Sequence, residues 1–199
     1  EETPFVYDST LKAKLSLPFI KSVYSTANKA GIIKTDNEIQ GVVLKGVDKD
    51  YNWNYIDANL IAGNVPQYVE NERSNDVVVS KIIADKMLLN VGDDVRLWFV
   101  GEDMKTRGRK FTVKGIYETG LTECDERFIY CDLNQIRRLN GWEKDVVGHL
   151  EIEVREGFEV EDVNNVIYYS IPPNLISYTA RELYPQIFDW LDLQDMNVF

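Results

Sequence analysis

At 199 residues, with 44% hydrophobic and 28% charged residues, the chain has the make-up of a globular protein long enough to bury a core. Its formal net charge of −11 excludes an extended phosphate-binding surface, so no nucleic-acid partner is expected, and it opposes lying flat on an anionic leaflet. No apolar run approaches the roughly 20 residues that a membrane helix requires.

In chain order, residues 19–33 and 39–47 are rich in β-branched residues and flank Asp36-Asn37, which predicts two paired strands. Residues 52–61 predict a short helix. Gly63, Pro66 and the polar stretch 70–75 then break the pattern and mark a candidate boundary. A strand at 77–79 follows, and Ser80 is placed to cap a helix whose apolar positions are Ile82, Ile83, Met87 and Leu88. The turn Val91-Gly92-Asp93-Asp94 leads to a strand at 95–100, a polar loop at 101–108 and a strand at 109–117. Residues 128–133 predict another strand and 134–139 a helix ending at Asn140-Gly141. The alternation of His149 to Val154 predicts a half-buried strand, and 159–169 a helix stopped by Pro172-Pro173. A strand is expected at 176–179. Pro185 then opens a last helix with Ile187, Trp190, Leu191 and Leu193 mostly on one face.

Short strands interleaved with helices predict an α+β fold rather than an alternating parallel one. The layout is that of an insertion, with residues 1–75 and 148–199 forming one subdomain and 76–147 a second, β-rich one inside it. Val78, Ile82, Leu97, Val113, Ile116 and Ile129 are the expected core of the inserted part. Six residues separate Cys124 from Cys131, and neither lies in a zinc-type spacing; they read as two separate thiols.

No set of residues reads as catalytic, cofactor-binding or metal-binding. The single histidine, His149, lacks a G-x-S-x-G partner motif, and neither a P-loop nor an EF-hand loop occurs. Asp93-Asp94 reads as turn chemistry. The four tryptophans, Trp53, Trp98, Trp142 and Trp190, serve packing or an exposed contact patch. Two alternatives remain at this level. A secreted carbohydrate-active hydrolase would need two carboxylates facing each other across about 5–10 Å. A soluble binding module would need an apolar contact patch.

The ordered segments VVVSKIIADKMLLNVGDDVRL and FTVKGIYETG, the earlier VVLKGVD with LIAGNVP, and the terminal helix with Trp190 and Leu191 resemble one family. It is the periplasmic core domain of MacB/FtsX-like ABC transporter permeases, most similar to the lipoprotein-releasing LolC/LolE type. The resemblance implies a porter-like subdomain built from both ends of the chain and a sabre-like one at 76–147. It implies one membrane helix before the domain and three after it, in the cell inner membrane, with this domain in the periplasm. It also implies a separate ATP-binding subunit, a second permease copy or paralogue, and a periplasmic protein or lipoprotein substrate. Lipoprotein-releasing permeases carry a longer, proline-containing hairpin where this chain has GEDMKTRGR. The expected partner-contact residues are the cations Lys105, Arg107 and Arg109, with Glu123 and Asp125 in the turn 120–127.

Overall fold

The computed structural model describes residues 3–35, 38–70, 72–100 and 106–196, the side chains of 190, 191 and 193–196 excepted. The chain forms two compact units, one of Glu1–Tyr7 with Tyr24–Glu151 and one of Asp8–Val23 with Ile152–Phe199.

The elements, in chain order, are β1 (Phe5–Val6), α1 (Ser9–Lys14), β2 (Ile20–Lys34), β3 (Ile39–Val47), α2 (Asn54–Ala58), β4 (Leu60–Gly63), β5 (Asp76–Ser80) and α3 (Lys81–Met87). Then come β6 (Asp94–Val100), β7 (Thr106–Tyr117), α4 (Thr122–Asp125), β8 (Phe128–Asp132) and α5 (Leu133–Asn140). The last are β9 (Val146–Val147), β10 (His149–Val154), α6 (Val160–Ser170), α7 (Ala180–Leu183) and α8 (Pro185–Met196).

One sheet carries the strand order β10-β2-β3-β8-β5-β7-β4, with β6 pairing both β2 and β7. The pairing therefore closes on itself through β2, β3, β8, β5, β7 and β6. Closure removes edges from those strands. Two of the pairings, β3 with β8 and β5 with β7, are parallel. The alternation of each strand sends one set of side chains into a shared core: Ile33, Val42, Leu44, Val77, Val79, Val95, Leu97, Phe99, Phe111, Val113, Ile129 and Cys131. Ile83, Ala84 and Met87 of α3 and Leu133, Ile136 and Leu139 of α5 join it. At Gly46 an added Cβ would lie 2.8 Å from Ile136 Cδ1 and 3.0 Å from Leu133 Cα, so glycine lets α5 lie directly on β3.

The opposite face carries a second cluster, in which Ile56, Val78 and Tyr117 are buried and Trp53, Leu60, Val65 and Tyr130 pack against them. The polar segment 70–75 is tied down from α5. Asp132 accepts from the Ser74 and Asn134 amides, and Gln135 donates to the Ser74 carbonyl and the Asn75 side chain.

In the second unit, Leu11, Leu15, Ile20, Val163 and Ile167 are buried. Helix α1 is capped by Asp8, whose carboxylate accepts from the Leu11 amide.

The structure differs from expectation at several points. The helix expected over 52–61 is only α2, because the chain turns at Asn59 and pairs as β4 with β7. No strand forms at 176–179. Thr179 is instead the N-cap of α7, with Glu182 completing a capping box. On α3 the buried residue is Ile83, whereas Ile82 is half-buried; Leu88 takes φ 55° and is 79% exposed. The other five expected core residues are buried. Pairing of β3 with β8 lays residues 39–47 into the same sheet as the inserted segment. Both cysteines are free thiols. Asp36-Asn37 and the side chains of Trp190, Leu191 and Leu193 lie outside the described residues.

Candidate functional site

Two polar segments between apolar strands are the candidates. The first is the hairpin of β6 and β7. Its ladder pairs Leu97 with Arg109, Trp98 with Gly108, Phe99 with Arg107 and Val100 with Thr106. Directly opposed residues share a face. Arg107 and Arg109 therefore continue the face of Leu97 and Phe99 beyond the end of the core. Arg107 is exposed and Arg109 half-buried, its guanidinium donating to the Gly108 carbonyl at 3.0 Å. Lys105 lies outside the described residues. The ladder begins at Thr106, so residues 106–108, expected in the polar loop, belong to β7; 101–105 lie outside the described residues.

On the other face of the hairpin, Trp98 was expected to serve packing or a contact patch, and the cations beside it, Arg96 and Lys110, were not singled out from the sequence. There Arg96 lies 5.8 Å from the Trp98 ring centre, a cation–π arrangement. Gly108 makes room for the indole, since an added Cβ would lie 2.9 Å from the ring. Lys110 is beside them, 2.7 Å from Asp94, which Thr112 also contacts; that pairing holds the Asp94 carboxyl below its ordinary range. The neighbouring strands add exposed Ile32 and Ile39, and Val100 is exposed near the tip. The result is a basic surface with an apolar, aromatic stripe on an acidic protein. The alternation of Asp94, Arg96 and Trp98 against Val95, Leu97 and Phe99 is the sequence signal that carried it.

The second segment, 118–127, is organised differently. Asp125 is 2% exposed. Its carboxylate accepts from the Thr119 amide at 3.0 Å, the Thr119 hydroxyl at 2.7 Å and the Gly120 amide at 3.2 Å. Its carbonyl accepts from the Ser80 hydroxyl, which also accepts from the Ile83 amide as the cap of α3. Asp125 is thus spent inside the turn, and the exposed carboxylates of the segment are those of Glu118, Glu123 and Glu126. Cys124 is half-buried, and burial together with Asp125 and Glu123 pushes its thiol up, so the thiol form is favoured.

The remaining carboxylates do not converge. Asp93 closes its own turn by accepting from the Asn90 amide at 2.8 Å. Among the described residues no group of three His, Cys, Asp or Glu side chains could hold a metal ion. His149 is exposed at the start of β10.

The chain matches the family described as "MacB-like periplasmic core domain" over residues 2–167. No curated protein sequence matches it. Among solved structures it is similar to the extracellular domain of the noncanonic ABC-type transporter YknZ from Gram-positive bacteria, with a TM-score of 0.58 and 14% identity over 86% of this chain and 84% of that one. It is also similar to the periplasmic region of MacB from Actinobacillus actinomycetemcomitans, with a TM-score of 0.54 and 13% identity over 84% and 73% of the two chains.

Proposed function

The chain belongs to the family of MacB-like periplasmic core domains, and from that premise we propose that it couples ATP hydrolysis in a separate cytoplasmic subunit to export or lipoprotein release outside the inner membrane. In this reading it works beside a second permease copy or paralogue. Residues 76–147 supply the sabre-like, partner-facing part, and 1–75 with 148–199 the porter-like part. The observation that carries the reading is the basic, aromatic end of the β6–β7 hairpin on a protein of net charge −11. Such local charge of the opposite sign favours an acidic periplasmic protein or lipoprotein and speeds its encounter. Arg107 and Arg109 on one face, Arg96 and Trp98 on the other, and Glu123 on the neighbouring turn are the contact residues.

The test is charge reversal in the intact transporter. Lys105→Glu, Arg107→Glu and Arg109→Glu together are expected to lower export or lipoprotein release and leave ATP hydrolysis by the separate subunit intact. Wild-type release would place the contact elsewhere.

A further inference from the structure

Away from the hairpin end, the densest group of polar and aromatic side chains in the first unit surrounds Lys45. Its ammonium lies 2.7 Å from Glu151 Oε1 and donates to Tyr51 Oη at 3.5 Å. It is also 5.5 Å from the ring centres of both Tyr51 and Tyr130. The Lys45 side chain is 19% exposed and that of Glu151 40%. Burial pushes the Tyr51 and Tyr130 hydroxyls well above their ordinary range, so both phenols stay neutral. The mostly buried ammonium therefore faces a partly exposed carboxylate and two ring systems. The ring contacts hold it more firmly than a fully exposed ion pair would be held.

The rings continue on both sides. Tyr51 is edge-on to Tyr24 at 5.7 Å and to Trp53 at 5.2 Å. Trp53 contacts Tyr68 and Tyr130, and Tyr130 contacts Tyr117. Tyr68 and Tyr117 anchor the group by donating to the carbonyls of Asp76 and Phe128, each at 3.0 Å. Lys45 thus sits between a fixed aromatic layer and two residues of special position. Tyr24 and Glu151 are the residues at which β2 and β10 pass out of the first unit along the chain. Among the described residues β10 is the terminal strand of its sheet and pairs with β2 alone. The end of a strand paired on one side is held by few bonds and is among the first parts to open.

We infer that Lys45 is a clamp: by holding Glu151 directly and Tyr24 through Tyr51, it fixes β10 and β2 where they leave the first unit. A pull arriving along either strand then reaches the closed sheet instead of fraying the strand ends. The clamp itself stands on this geometry; its part in coupling rests on the function proposed above.

Hydrogen exchange tests it in two stages. In the 199-residue chain, Lys45→Met keeps the stem and removes the charge. It is expected to speed exchange at the amides of 24–26 and 149–154 about tenfold, leaving β6 and β7 unchanged. Lys45→Arg should restore near-parental rates, and Lys110→Met, which breaks the exposed pair with Asp94, should leave 149–154 unaffected. Acceleration of less than about twofold, or equal acceleration across the whole sheet, overturns the clamp. In the reconstituted transporter, exchange at residues 94–117 is compared with ATP and with ADP. The nucleotide-dependent difference should be lost in Lys45→Met while ATP hydrolysis continues; its survival overturns the clamp's role in coupling. If the unsubstituted transporter shows no such difference, the proposed function fails instead, and the first stage still decides whether Lys45 fixes the strands.

Discussion

The hairpin end at 94–110 and the turn at 118–127 look alike as sequence: each is a polar stretch between apolar strands. The structure makes them opposites. The hairpin is held by its backbone ladder and by Leu97 and Phe99 beneath it, so Arg96, Arg107 and Lys110 lie at the surface. The turn is held by one of its own charges, because Asp125 is buried and satisfies the Thr119 and Gly120 amides. A charged residue in a loop is therefore a contact candidate only where the backbone is secured by other means. Where the loop lacks ladder bonds, a buried carboxylate does the securing and is lost to the surface.

The largest expected effect tests what supports the hairpin. Leu97→Ala should cost about 2–5 kcal/mol in urea or thermal unfolding, since Leu97 is fully buried in the closed sheet. A loss below about 0.5 kcal/mol would mean that the hairpin does not rest on that core. Asp125→Ala comes next, at roughly 2–3 kcal/mol, because three donors lose a buried charged acceptor. If it costs no more than an exposed substitution, the contrast between the two segments collapses. Ser80→Ala sharpens the contrast from the other side. It removes the cap of α3 together with the bond to the Asp125 carbonyl, and about 1–2 kcal/mol is expected by the same measurement.

Asp132 offers a buried carboxylate that burial disfavours. Desolvation raises its pKa against the lowering effect of the Ser74 and Asn134 amides. A raised folded pKa stabilises fully below the unfolded value and is lost as pH rises through the folded one. The stability advantage of the parent over Asp132→Asn should therefore shrink between pH 3 and pH 7 in unfolding curves across that range. An advantage that grows with pH would reverse the assignment. The smallest effect on folding is expected for the triple charge reversal at Lys105, Arg107 and Arg109, within about 0.5 kcal/mol, set against a loss of partner contact.

Much of the chain was legible from local chemistry. Richness in β-branched residues marked β2 and β3, the turn at Gly92 marked the start of β6, and alternation marked β10. Ser80, Gly141 and Pro185 marked helix ends, where the physics is a cap or a missing donor within one turn. Thr179-Ala-Arg-Glu182 is an S/T-x-x-E capping signature and was readable in the same way, but the β-branched run before it reads as a strand when weighed alone. The phase of α3 was ambiguous because Ile82, Ile83, Met87 and Leu88 offer two overlapping apolar stripes. Only the packing chose Ile83 and Met87 and released Leu88.

The sequence by itself determined most of the longer strands and helices and the acidic balance of the chain, because each depends on residues within a few positions of one another. Closure of the sheet through β6 and β2, the parallel docking of β3 on β8, and therefore the compact units, were decided by the tertiary structure. So were the burial of Asp125 and the meeting of Lys45 with Glu151, which lie far apart in the chain but on the two strands, β3 and β10, that flank β2 in one sheet. The reason is that register and strand order follow from which apolar faces can be buried together, and no local spacing records that choice.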